Sequence, residues 1–229
     1  MRMMRGSILL LATTVVPTIV SAQTYPSNKD PRSTLKPGRF DAEIAISGMK
    51  QVAFVKKPAI LDSAAGLKYI NSDMAFGTHY VYQANFAGLT IWDITDPANP
   101  VMVSATKCIT SQGDPTIVGN LLFMSAEGAG NRNDCGDGGV QDPKDHMAGV
   151  RIFDVSNPKA PKLVKNVQTC KGSHTHTLVP SPTDPRIIYL YVSGQQAATG
   201  NGVGGVQERD GPGGPDELAV PARHHQGAA

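Results

Sequence analysis

The feature that most constrains this chain is an internal repeat. Gly88-Leu89-Thr90-Ile91-Trp92-Asp93-Ile94-Thr95-Asp96-Pro97-Ala98-Asn99-Pro100 is matched, at a constant offset of 61 residues, by Gly149-Val150-Arg151-Ile152-Phe153-Asp154-Val155-Ser156-Asn157-Pro158-Lys159-Ala160-Pro161. In each copy a β-branched and aromatic run ends in Asp, followed by a hydroxyl residue, Asp or Asn with Pro, and a second Pro. The run predicts a strand. The Asp/Asn-Pro step predicts a turn whose short polar side chain bonds its own backbone while Pro pre-sets φ. Val101-Met102-Val103 and Leu163-Val164 then read as the return strands of hairpins.

Two further short strands precede each copy: Asp73–Phe76 and Tyr80–Tyr82 before the first, Asp114–Val118 and Leu121–Met124 before the second. A third set starts with His174–Val179 and Ile187–Val192. Four strands therefore recur, 41 residues apart from Asp73 to Asp114 and 60 from Asp114 to His174, the excess of 19 being a glycine-rich insertion from Gly128 to Met147. A period of ~40–45 residues with four strands is the pattern of a β-propeller blade. Near-continuous apolar runs such as Leu121-Leu122-Phe123-Met124 fit blades buried on both faces. The predicted class is all-β, a partial β-propeller of four-stranded antiparallel blades. A β-sandwich also accommodates regular short strands, but not the constant offset of the turn motif.

The paired G-(L/V)-x-I-(W/F)-D-(I/V)-(T/S)-(D/N)-P-x-x-P segments resemble the LVIVD repeat of exported bacterial proteins. Asn71–Phe76, Leu122-Phe123-Met124-Ser125, Asp134-Cys135-Gly136 and Cys170-Lys171-Gly172-Ser173-His174-Thr175-His176-Thr177 resemble one subgroup of them, over about Asp30 to Gly194. The resemblance implies a propeller fold and an exported location, and carries no biochemical activity with it. The pattern departs from full-length relatives in showing two whole units and the start of a third, whereas a propeller closes with ~4–8 blades.

Composition divides the chain further. Met1–Arg5 holds two arginines, Gly6–Val20 is uncharged, and Val20-Ser21-Ala22 suits a signal peptidase. Residues 1–22 are expected to be a secretory signal cleaved between Ala22 and Gln23, the other reading being an anchor that is kept. Residues 23–47 form an N-terminal arm, 48–194 the partial propeller. Gln195–Ala229 has eight glycines and three prolines in 35 residues and no Ile, Phe, Tyr, Trp, Lys or Cys. It is expected to be a disordered or out-of-frame tail of a truncated member, or else an ordinary linker. The early strand around Gln51–Val55 is placed to close a ring by pairing with a last blade. Without Arg2 and Arg5 the 21 Lys and Arg fall to 19, equal to the 19 Asp and Glu, so there is no basic footprint for nucleic acid. No segment after the signal approaches the ~20 apolar residues of a membrane span.

Export makes the three cysteines candidates for disulfides. Strand reversal puts Cys108, Cys135 and Cys170 on one face, and Cys108 is expected to pair with Cys135 because the strand carrying Cys108 leads directly into the unit whose insertion carries Cys135. Asp73, Asp114 and His174 open the innermost strands on that face. His174 and His176, two apart on a strand, point the same way and with Asp114 form a candidate site for a divalent transition metal; the alternative is a polar pair satisfied by its neighbours, with the aspartates capping loops. The acidic insertion Asn131–Gly139 is a weak calcium candidate that lacks the EF-hand order. No nucleophile motif or phosphate loop occurs. Two functions remain: an exported propeller that acts as a binding or interaction scaffold for a protein or small molecule on its face, and a metal-dependent enzyme with a site at the channel mouth around His174 and His176.

Overall fold

The computed structural model describes residues 30–38, 40–62, 70–128, 130–169, 171–194 and 216–221. The signal with its Ala22–Gln23 junction, Cys170 and most of the expected tail lie outside these. The chain divides into two units, Met1–Lys50 and Gln51–Ala229. In the first, a 3-10 turn at Pro31–Thr34 is capped by Asp30, whose carboxylate accepts from the Arg32 N–H at 2.9 Å.

The second unit is built from strands β1 (Asn71–Phe76), β2 (Tyr80–Asn85), β3 (Gly88–Asp93), β4 (Val101–Lys107), β5 (Pro115–Val118), β6 (Leu121–Ala126), β7 (Gly149–Asp154), β8 (Lys162–Gln168), β9 (Thr175–Pro180), β10 (Ile187–Ser193) and β11 (Asp216–Pro221). They form two four-stranded antiparallel sheets, β1-β2-β3-β4 and β5-β6-β7-β8, and a three-stranded sheet, β11-β10-β9. The sheets do not close on themselves, and the fold is a partial β-propeller.

Register shows how closely the first two sheets repeat. Phe76, Val81, Trp92 and Met102 are successive cross-strand partners in the first; Ile117, Leu122, Phe153 and Leu163 are their counterparts in the second. Each sheet has a register shift between its third and fourth strands at the same place, Ile91/Trp92 and Ile152/Phe153. Such a bulge adds one residue to a strand and sharpens its twist. The glycines opening the motif have a steric cause: a Cβ on Gly88 would meet the Thr106 carbonyl oxygen at 2.0 Å, and one on Gly149 that of Val167 at 2.0 Å. The motif's polar residues end the strand and make the turn. The Asp93 and Asp154 carboxylates accept from Thr95 and Ser156 N–H at 2.8 Å, and the Asp96 and Asn157 side chains accept from Ala98 at 3.0 Å and Lys159 at 3.1 Å.

The core lies between sheets. Ala75, Tyr82, Ala84, Leu89 and Ile91 of the first sheet pack with Leu122, Met124 and Phe153 of the second. The opposite face of the second sheet, Phe123, Val150 and Ile152, packs with Leu190 and Val192 of the third. Middle strands are thus buried on both sides, which is why β3 and β7 read as almost unbroken apolar runs.

Of the expected disordered or out-of-frame tail, residues 195–229, only Asp216–Pro221 are described, and they pair with β10 over six positions, from Ile187↔Pro221 to Val192↔Asp216. The cause is the free edge of β10, whose N–H and C=O groups gain partners by accepting a third strand. One expectation is corrected. Trp92 and Phe153 were expected in equivalent packed positions. Their register is equivalent, but Phe153 is covered by the first sheet and 1% exposed, whereas Trp92, 8% exposed, faces a groove beside Ala53 and Val55.

Phe153→Ala should therefore cost about 3–5 kcal/mol, the range for truncating a fully buried aromatic ring, and Trp92→Ala clearly less. Chemical denaturation of the two variants checks the order; equal losses would contradict it.

Candidate functional site

Successive strands reverse direction, so the β4–β5 connection and the insertion between β6 and β7 emerge at the same end of the second unit. Cys108, directly after β4, is bonded there to Cys135 of the insertion. The pair closes a separation of 27 residues. On the chain-entropy account such a link stabilises the fold by roughly 3–4 kcal/mol through the unfolded state.

The insertion is organised rather than loose. Arg132 bonds the Asp134 carboxylate at 2.8 and 2.9 Å and the Gly139 carbonyl at 3.2 Å, and pairs with Asp145 at 3.5 Å. The guanidinium beside Asp134 holds that carboxyl far below the usual carboxylate range. Arg132 and His146 form an isolated antiparallel bridge, and the Asn133 amide donates to the Lys144 carbonyl at 2.8 Å. Lys107 at the end of β4 pairs with Asp137. Carboxylates of Asp134, Asp137 and Asp145 stand at the surface of this loop.

Beneath the insertion lies Arg151, a fully buried arginine in the middle of β7. Its guanidinium donates to the carbonyls of Ile109 at 3.1 Å and Arg132 at 2.7 Å and to the Asn166 side chain at 3.1 Å. One planar fork thus ties the β4–β5 connection, the insertion and β8 together, a geometry that lysine does not reproduce. Burial lowers its pKa to about 10, still well above neutrality, so the group stays charged.

The residues expected at the channel mouth have separate duties. His176 is buried between the second and third sheets: Nε2 meets Thr116 Oγ at 2.9 Å, Nδ1 meets Ser125 Oγ at 2.8 Å, and Ser125 Oγ meets Ser173 Oγ at 2.7 Å. Asp114 accepts the His176 backbone N–H at 3.0 Å, its carboxylate standing 3.9 Å from Nδ1. His174, just before β9, directs Nδ1 to Glu127 at 2.7 Å. Asp73 lies in β1. Among the described residues no three His, Cys, Asp or Glu side chains converge in a group able to hold a metal ion, so His174, His176 and Asp114 are not gathered into one donor set. Sequence reasoning missed Arg151 and the Thr116–Ser125–Ser173 hydroxyls. Arg151 left a signal, a charge amid Val150 and Ile152 where the first copy has Thr90; the hydroxyls left none.

Burial pushes the His176 pKa below its ordinary value, against an opposing pull from Asp114. Since the unfolded imidazole takes up its proton at a higher pH than the folded one, its contribution to stability is fully present above about pH 6.5. It is lost as pH falls from there through the folded value, at up to ~1.4 kcal/mol per pH unit. Thermal melts from pH 8 to 5 should show that fall, and His176→Gln should flatten it. A second measurement is reduction: dithiothreitol, or a Cys108→Ser/Cys135→Ser variant, should lower the denaturation midpoint by the equivalent of roughly 3–4 kcal/mol.

Comparison with known proteins agrees with the strand repeat. The family model for the LVIVD repeat matches residues 72–107 and 145–169, which contain β2–β4, β7 and β8 and all of β1 but Asn71. No curated protein matches the chain. Each matched segment contains the Gly-to-Pro motif's strand and its return strand, so these two stretches of the chain are similar to the LVIVD repeat.

Proposed function

We propose that this LVIVD-repeat scaffold is exported and binds a protein or small-molecule partner through the end of the propeller that carries the insertion. The observation that carries the reading is the combined anchoring of that loop by the Cys108–Cys135 disulfide and the Arg151 fork. Binding residues sit preferentially on loops held by a rigid framework, and a pre-ordered loop loses less entropy on association. A disulfide suits an oxidising compartment, in keeping with the signal-like first 22 residues. The balance of 19 basic and 19 acidic residues after the signal gives no support to nucleic acid as the partner. Among the described residues no helix is long and apolar enough to cross a membrane.

Two measurements test this. The protein recovered from an exporting bacterial host should have the intact mass of a chain beginning at Gln23 with Cys108 and Cys135 oxidised. A chain retained in the cytoplasm with residues 1–22 attached overturns the export reading. For binding, a photo-crosslinking amino acid at position 137, in the insertion, is compared with one at position 159, in the β7–β8 turn at the opposite end. Discrete cross-links from position 137 alone are expected; equal labelling from both positions, or none from 137, overturns the assignment of the face.

A further inference from the structure

Among the described residues, buried side-chain atoms without a hydrogen-bond partner fall at one place, the root of the insertion. They are Arg151 Nε, Thr110 Oγ1, and both Nδ2 and Oδ1 of Asn131. All three residues are 0% exposed. Arg151 Nη2 donates to the carbonyls of Ile109 and Arg132, the residues that adjoin Thr110 and Asn131 in the chain. Thr110 also comes beside the arginine through Met124, the cross-strand partner of Arg151. The Met124 methyl and Thr110 Oγ1 stand 3.4 and 2.6 Å from the point that a Cβ on Gly113 would occupy. On its other side the Thr110 carbonyl accepts from the Glu127 N–H at 3.4 Å, and a Cβ on Gly128 would strike Ser111 Oγ and stand 3.4 Å from Asn131 Oδ1. Side chains at 113 and 128 would intrude on this cluster, and both residues are glycine.

A buried guanidinium calls for a counter-charge as well as acceptors. Here its hydrogen bonds go to two carbonyls and an amide oxygen, all uncharged. Asp134, the carboxylate that acts on it from the insertion, is taken by Arg132. The groups left over are chiefly donors: the Arg151 Nε–H, the Thr110 hydroxyl and the Asn131 amide, whose two ends exchange by a flip. Water would bond to these groups and leave the charge as it is. A small anion accepts from all of them and neutralises it, and the buried Cys108, Ile109 and Met124 around the site give that attraction a low dielectric.

From this we infer that Arg151 Nε, Thr110 and Asn131 form an internal site for a halide ion, chloride in a physiological medium, that ties the root of the insertion to β7. The ligand is acceptor-only, singly charged and without orientation of its own, and small enough for a place closed to solvent. Such an ion would hold the loop whatever the loop binds, so the site is independent of the proposed binding face and of export.

Thermal melts of the full chain at one ionic strength, with sodium gluconate replaced stepwise by sodium chloride, read the site. A saturating rise in melting temperature of roughly 2–5 °C is expected, since a ligand of the folded state alone shifts the unfolding equilibrium. Bromide should act as chloride does. Thr110→Val, which keeps the shape and loses one donor, should need several-fold more chloride for the same rise. Asn131→Asp sets a carboxylate beside the guanidinium; it should abolish the chloride response while melting cooperatively in gluconate at or above the wild-type temperature, which separates loss of the ion from loss of the fold. Crystals grown in sodium bromide should show anomalous scattering from bromine in contact with Arg151 Nε. A wild-type melting temperature that ignores the exchange overturns the inference. So does an unchanged chloride dependence in Thr110→Val or Asn131→Asp, or water alone at Arg151 Nε in the bromide crystals.

Discussion

The middle strands of the first two sheets are buried on both faces, and the stability of the whole depends on that double cover. A half-buried antiparallel sheet sets one apolar face against water-compatible residues on the other; β3 and β7 instead bury five of six positions each. Burial of this kind comes only from sheet stacking, because each sheet alone would leave one such row in water at roughly 25 cal/mol for every Å². The repeat is therefore a packing unit. Its glycine admits the neighbouring strand's carbonyl, its bulge sets the twist at which Trp92 and Phe153 stand, and its Asp-based turns reverse the chain with their polar groups satisfied.

The polar residues at the two inter-sheet junctions act under the same constraint in the opposite sense. Inside a stack, an unsatisfied donor or acceptor costs about 1–3 kcal/mol, so a buried polar group is tolerated where its partners are in place. Arg151 meets this at its two terminal nitrogens, which donate to two carbonyls and an amide oxygen at the first junction, while its buried Nε is left without a partner. His176 meets it by placing both ring nitrogens on hydroxyls at the second, while its backbone N–H reaches Asp114. These networks bind one alignment of neighbouring sheets, since a slip of one residue would turn each polar group into an apolar face. The anchored insertion follows from the first network, as Arg132 and Cys135 are held to elements that the sheets have already positioned.

This division explains why the residues with the most chemical promise in the sequence have mainly architectural partners. Two histidines two positions apart share a side of an ideal strand, but β9 begins at Thr175, so His174 belongs to the preceding turn and reaches Glu127 instead. The strand-alternation argument applied to one residue of the pair and stopped short of the other.

The sequence by itself determined the repeat unit, its strands and its turns, because these rest on local chemistry: β-branched and aromatic runs, Asx-Pro reversals, and glycine where a carbonyl approaches. It also determined the Cys108–Cys135 pairing, through the order in which strands reverse. Tertiary structure alone decided the rest. Whether Trp92 is covered depends on which surface lies beyond the first sheet, whether Arg151 is buried depends on the carbonyls of Ile109 and Arg132 converging from distant segments, and whether Asp216–Pro221 form a strand depends on the free edge of β10. In each case the deciding group comes from far along the chain, and packing rather than local propensity settles the outcome.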